Sequence, residues 1–253
     1  MTDDVVISVK NIGVRYFRKR SRLPWRKEEF WALKDVSFDL ARGDSVGIIG
    51  RNGAGKSTLL QTLAGIISPD RGAVETREVT VSLLSLRLGF VKELSGRENA
   101  VLSGMLQGIS QQEMLRRLPD ILSFSELGDA VEDPVGTYSS GMAARLGFAV
   151  ALQVASDVLL IDETLSVGDI TFKAKSAEAL QEIIRSDRTV VLVSHDPGTI
   201  ESLCDSALWI EDGVVRMEGR TETVLAAYRQ EFGGPAKKEH ALGLPAASAD
   251  ATG

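Results

Sequence analysis

Val46-Gly47-Ile48-Ile49-Gly50-Arg51-Asn52-Gly53-Ala54-Gly55-Lys56-Ser57-Thr58-Leu59-Leu60 reads as an apolar strand, a glycine-rich loop and the opening of a helix. Residues 50–58 match GxxxxGK[ST], the phosphate-binding loop, in its required strand–loop–helix context. Glycines let the backbone curl so that successive N–H groups converge on phosphate oxygens. The N-terminus of the following helix adds a partial positive charge. In this reading Gly50, Arg51, Asn52, Gly53, Ala54, Gly55, Lys56, Ser57 and Thr58 contact a nucleotide. Lys56 reaches the β- and γ-phosphates, and the Ser57 hydroxyl is a ligand for Mg²⁺.

A second signal lies downstream, at Val158-Leu159-Leu160-Ile161-Asp162-Glu163. An apolar strand ends in two carboxylates at its C-terminal tip, where ligands bind in open α/β sheets. Asp162 is read as a Mg²⁺ ligand, and Glu163 as the general base that polarises an attacking water. Alone, such a tip is also an ordinary solvated acidic cap.

The rest of the chain is compatible with a soluble enzyme. It has 253 residues and a net charge of −6, which argues against nucleic acid as a partner. A single cysteine, Cys204, permits no intrachain disulfide and suits a reducing compartment. The opening MTDDVV is unlike a targeting peptide. Apolar runs of five to seven residues fall far short of the ~20 a membrane helix needs.

Strand character covers 5–15, 36–49 with a turn at Ala41–Asp44, 73–86, 157–162 and 188–195. The last two are nearly all apolar, as strands buried on both faces of a parallel sheet are. ALWI (207–210) and VVRM (214–217) flank the hairpin turn Asp212-Gly213. Helices are expected from Gly50 to Leu63, closed by Gly65, and from Ser95. Others are expected through 118–124 despite Pro119, over 141–155, between the two buried strands, and from Thr221 to about Phe232. Ser95/Glu98 and Ser110/Glu113 have capping-box spacing. From Arg15 to Lys27, seven of thirteen residues are basic. That stretch is either a solvated loop or hairpin or a face toward anionic lipid. Residues 233–253 are small, polar and proline-bearing, and are expected to be a disordered tail.

Tyr138-Ser139-Ser140-Gly141-Met142 precedes a long apolar helix and ends fifteen residues before Asp157. By itself this is an ordinary N-cap. In the order phosphate loop, Ser-Ser-Gly, Asp-Glu strand, it resembles the LSGGQ signature of ABC-type ATPases, in the variant YSSGM. The resemblance covers about residues 5–232 and is nearest to the ATPase subunits of polysaccharide and teichoic-acid exporters. It rests on GIIGRNGAGKSTLL, ELSGREN (93–99), YSSGMAARLGFAVA, DETLSVGD and SLCDSALWIEDG, and on the insertion after the first strand.

The resemblance implies an α/β P-loop ABC-type ATPase fold with a RecA-like core, a small antiparallel β-subdomain and a helical signature subdomain. The antiparallel part would hold the N-terminal strands and residues around 73–86, and the helical part about residues 90–155. It implies ATP and Mg²⁺ as ligands, a head-to-tail dimer with a second copy, and a polytopic transmembrane permease as partner. The chain would work on the cytoplasmic face of the cell membrane.

Several residue roles follow from the resemblance alone. Ser139, Ser140 and Gly141 would complete the nucleotide site of the second copy. His195, in VVLVSHD, would contact the γ-phosphate and the catalytic water. Asp169, in Ser166-Val167-Gly168-Asp169, would shape the dimer interface. Tyr16 would stack on adenine, with Phe17 as the alternate. The same catalytic motifs serve importers, small-molecule exporters and soluble ABC proteins, and only the narrower runs favour export.

One departure stands out. Where the family usually carries Gln or Glu between core and helical part, this chain reads Leu83-Leu84-Ser85-Leu86-Arg87-Leu88-Gly89-Phe90. A carboxamide or carboxylate role does not carry over to Ser85 or Leu86. Some relatives also add a carbohydrate-binding β-domain after the ATPase. The residues after the last expected helix are too few for one, so glycan recognition is expected to rest with the permease.

Overall fold

The computed structural model describes residues 4–19, 27–84, 89–153, 156–162, 170–186 and 188–232. Glu163, Asp169, Ser85 and Leu86 lie outside these residues, as do most of the basic stretch and the expected tail.

Among the described residues nine strands form one sheet in the order β4-β1-β2-β9-β8-β3-β7-β6-β5. They are β1 (Val5–Lys19), β2 (Lys27–Ala41), β3 (Ser45–Ile49), β4 (Arg71–Thr76), β5 (Val81–Leu84), β6 (Val158–Ile161), β7 (Thr189–Val193), β8 (Ser206–Glu211) and β9 (Val214–Arg220). The helices are α1 (Lys56–Leu63), α2 (Gly96–Leu106), α3 (Gln111–Ser125), α4 (Ser140–Ala151), α5 (Ile170–Ile184), α6 (Pro197–Leu203) and α7 (Thr221–Phe232).

The sheet has two characters. Strands β5, β6, β7, β3 and β8 run parallel, while β1 pairs antiparallel with both β2 and β4. Of the parallel strands, β3, β6 and β7 are buried on both faces with a period of two. Val158, Leu160, Val191 and Val193 face one core with α1's Leu59, Leu60 and Leu63. Leu159, Ile161, Val190 and Leu192 face the other with Phe148, Phe172, Ile200 and Val224. A third core, of Ala100, Met114, Leu118, Ile121, Leu146 and Val150, holds α2, α3 and α4 together. Phe124 packs against this helical core and the sheet core alike. Its ring lies 6.0 Å from Phe148 and 5.9 Å from Phe172.

Three expectations need correction. Residues 73–86 do not stay together, because only Arg71–Thr76 joins the antiparallel part. Val81–Leu84 crosses to the far edge and pairs parallel with β6, since its side chains have a buried face to cover there. The strands flanking the basic stretch are longer than expected, with Tyr16 opposite Phe30 and Lys19 opposite Lys27, and of the loop and the hairpin expected there this pairing fits the hairpin. The capping box at Ser95/Glu98 is complete, but at Ser110 only half forms. Ser110 Oγ accepts from the Glu113 N–H, while the Glu113 carboxylate turns to Arg116 and Arg117 instead.

Pro119 sits inside α3 without ending it. It lies on the exposed face with Leu115, where water reaches the carbonyl left without a helical donor. Among the described residues no helix is long and apolar enough to cross a membrane.

Candidate nucleotide site

The register of the parallel strands assembles the site. Ile48 of β3 pairs with Val193 of β7, and Ile161 of β6 with Leu192. The three chains therefore leave the sheet side by side, carrying Gly50, Asp162 and His195 at their C-terminal ends. A cleft of ≈370 Å³ opens there, lined by Tyr16, Phe30, Ala32, Asn52, Gly53, Gly55, Lys56, Ser57, Thr58, Asp162 and Val193.

Gly55 caps α1 with φ +107° and no side-chain hydrogen bond. A Cβ there would sit 2.5 Å from the Ala32 carbonyl oxygen, so only glycine fits. The first turn of α1 also holds no acidic residue. Its first N–H groups, which have no acceptor within the helix, and its positive dipole end therefore face the cleft, which suits an anion.

Lys56 Nζ donates to Gly50 O at 2.6 Å and Arg51 O at 3.1 Å. Burial pulls the Lys56 pKa down, against the fields of Asp162 and Glu211. Burial pushes the Asp162 carboxyl up, and Lys56 pulls it back. Each charge thus offsets part of the other's burial cost in a partly dry cleft. A carboxyl raised this way favours the folded state most when protonated, and that contribution fades as pH rises through its pKa. A cation beside Asp162 would reverse the preference. Ser57 and Asp162 line the same cleft, and two hard oxygen donors beside a phosphate cradle fit Mg²⁺.

Tyr16 lines the cleft and stacks on Phe30 at 5.7 Å. Phe17, one residue on, points elsewhere, with Arg15 5.8 Å from its ring, and does not line the cleft. His195 is exposed between β7 and α6. Its neighbour Asp196 caps α6 by accepting from the N–H groups of Gly198 and Thr199. Ser139 caps α4, accepting from the Met142 N–H at 3.2 Å. Tyr138 anchors that turn, donating to Ala130 O at 2.6 Å. Among the described residues, Ser139, Ser140 and Gly141 contribute nothing to the cleft that holds Lys56.

Sequence reading missed the support behind the loop. The Asp212-Gly213 turn, recognisable as a hairpin, donates from Gly213 N to Ala54 O at 3.2 Å and accepts from Lys34 N at 2.8 Å. Gly213 has φ +77°, and a Cβ there would meet Ala32 O at 2.7 Å. Gly213→Val should cost ~2 kcal/mol or more, about 1–2 of it from the left-handed backbone alone. A thermal melt should fall by roughly 5 °C, with weaker nucleotide binding because the loop loses its backing. A melt and affinity equal to wild type would show that the turn does not brace the loop.

Residues 33–166 match the ABC transporter family. The O-antigen export system ATP-binding protein RfbB of Klebsiella pneumoniae is 43% identical over 212 residues, spanning 84% of this chain and 86% of that protein. The teichoic acids export ATP-binding protein TagH of Lactococcus lactis is 43% identical over 204 residues, or 81% of this chain and 44% of that protein. Among solved structures, a dimeric ATP-binding cassette in a post-hydrolysis state with ADP and Pi superposes with a TM-score of 0.68. The alignment covers 85% of this chain and 98% of that one at 23% identity, a likeness of fold. An ATP-binding subunit of an ABC transporter superposes with a TM-score of 0.68 at 25% identity, over 90% and 93% of the two chains.

Proposed function

The chain belongs to the ABC transporter family of ATP-binding proteins, and from that premise we propose that it hydrolyses ATP to power a separate polytopic permease. The cargo we assign is a lipid-linked polysaccharide or related cell-envelope polymer, moved outward. The observation that carries the ATPase reading is the cleft bringing Lys56, Ser57, Asp162 and Tyr16 together. The cargo class is supported by likeness to the O-antigen and teichoic-acid export proteins.

In this reading the N–H groups around Gly53–Thr58 and the Lys56 ammonium hold the β- and γ-phosphates, offsetting charge that grows on the leaving oxygen. Tyr16, backed by Phe30, supports the base. Mg²⁺, held by Ser57 and Asp162, would neutralise phosphate charge. Glu163 accepts a proton from the attacking water, and His195 orients that water. Ser139, Ser140 and Gly141 belong to the site of a second copy, docked head to tail so that its nucleotide lies between the two chains. Asp169 shapes that interface.

The permease contact is placed on the helical region. A groove of ≈850 Å³ runs between the edge strand β5 and the α2–α3 turn, lined by Val81, Leu83, Leu106, Ile109, Arg117 and Ser156 among others. Leu106 is 58% exposed, and burying such a side chain on a partner is worth ~1.5–3 kcal/mol. The protein then works peripherally, on the cytoplasmic face of the membrane. The basic stretch Arg15–Lys27 adds attraction to anionic lipid of about 1 kcal/mol per charge, weakened by salt.

Fractionation of cells with and without the permease gene checks this. Membrane association should disappear with the gene. Association that persists without it but washes off in high salt would assign attachment to the basic stretch. A chain found only in the soluble fraction, with turnover stimulated by DNA or ribosomes, would replace the export reading.

A further inference from the structure

We propose that Phe232, the last residue of α7, positions the phosphate loop by holding the side chain of Arg51. The inference rests on the nucleotide reading of that loop and adds a residue about 180 positions downstream of it, beyond every motif.

The Arg51 guanidinium carbon lies 5.5 Å from the centre of the Phe232 ring, a cation–π distance. The ring is itself held in place. Trp209 meets it edge-on at 5.8 Å and Tyr228 lies 5.1 Å away. Trp209 and Tyr228 pack edge-on at 5.5 Å, so β8 and α7 together present one aromatic face to the loop. The Tyr228 phenol, raised by burial and by Glu211, is pulled back by the field of Arg51.

Arg51 is well placed to transmit order. Its carbonyl accepts both the Ala54 N–H and Lys56 Nζ, each at 3.1 Å. One of the two residues that hold the lysine is therefore tied to α7. The crest of the loop, Arg51 to Gly53, is exposed and has no buried side chain to fix it. Arg51 does not line the cleft while Asn52 and Gly53 do, so its side chain works behind the cradle. An anchored loop has less entropy to lose when a phosphate binds.

An exposed cation–π contact corresponds to a two- to fivefold change in affinity. Phe232→Leu keeps an apolar side chain against Trp209 but removes the ring. Its Kd for a fluorescent Mg-ADP should rise two- to fivefold. KM for ATP should rise in step while kcat holds, the mark of lost uniform binding. Phe232→Trp should restore both. Arg51→Gln should also weaken binding, and adding Phe232→Leu to it should weaken binding no further. Wild-type binding with Phe232→Leu equal to it or tighter, or with additive effects in the double variant, overturns this inference alone. A wild-type chain that binds no Mg-ADP overturns the nucleotide reading and this inference with it.

Discussion

Lys56→Ala is expected to lower ATP turnover at least a hundredfold and to weaken nucleotide binding. Removing one preorganised electrostatic donor from a transition state costs about 10²–10³ in kcat, and Lys56 is the buried cation of the cleft. The loss has a second part. Lys56 opposes the burial that raises the Asp162 pKa, so without it that carboxyl rises further. A carboxyl less ready to ionise would hold Mg²⁺ less well, which adds to the loss. The truncation also leaves Gly50 O, which is buried, without this donor, a cost of about 1–3 kcal/mol, so a thermal melt is run beside turnover to separate lost stability from lost catalysis. Phosphate release at saturating Mg-ATP, with nucleotide binding measured beside it, checks the prediction. Turnover equal to wild type would move the phosphate site away from this loop.

The parts of this molecule legible in its sequence are those fixed by local chemistry. The phosphate loop is written in contiguous residues whose spacing is its mechanism, and Asp212-Gly213 has positive φ at both positions, as its turn type requires. The double burial of β6 and β7 showed in their unbroken apolar runs. What was not legible depends on distant pairings. Val81–Leu84 looks like any short, mostly apolar strand, and only its pairing with β6 places it across the sheet from Arg71–Thr76. Glu113 has capping-box spacing, but two arginines on its own helix compete for its carboxylate with better electrostatics than a backbone N–H offers. Tyr16 is preferred to Phe17 in the sequence on the resemblance alone, and the physical reason shows only in the fold, where Tyr16 lines the cleft and Phe17 does not. The support of the loop by Gly213 and Phe232 has no local signal at all, because both come from the far end of the chain and meet Ala54 and Arg51 only through the order of the sheet.

Glu163→Gln should bind ATP, fail to cleave it and accumulate as a dimer. The carboxamide keeps the size of the side chain but accepts no proton at neutral pH, so loss of the base should cost about 10²–10⁴ in rate with little change in binding. The assembly follows from where the anion-binding elements lie. One cradle, at Gly53–Thr58, opens into a cleft of this chain. The other, the N-terminus of α4 at Ser139–Gly141, is absent from that cleft among the described residues. Both expect the same phosphates in the proposed mechanism, so full coordination requires two chains related head to tail, each nucleotide shared between them. While the γ-phosphate persists, the pair should hold. Once it is cleaved, the bridging charge is divided and the pair should part. Light scattering in Mg-ATP should therefore give twice the monomer mass for Glu163→Gln and a mass falling back to monomer for the wild type as ATP is consumed. A further change, Ser140→Arg, places bulk and charge at the α4 terminus without touching the cleft, and should return Glu163→Gln to monomer while ATP remains bound to each chain. Should Glu163→Gln stay monomeric at saturating ATP and still hydrolyse it, Glu163 is not the base and the α4 terminus does not bridge the two chains.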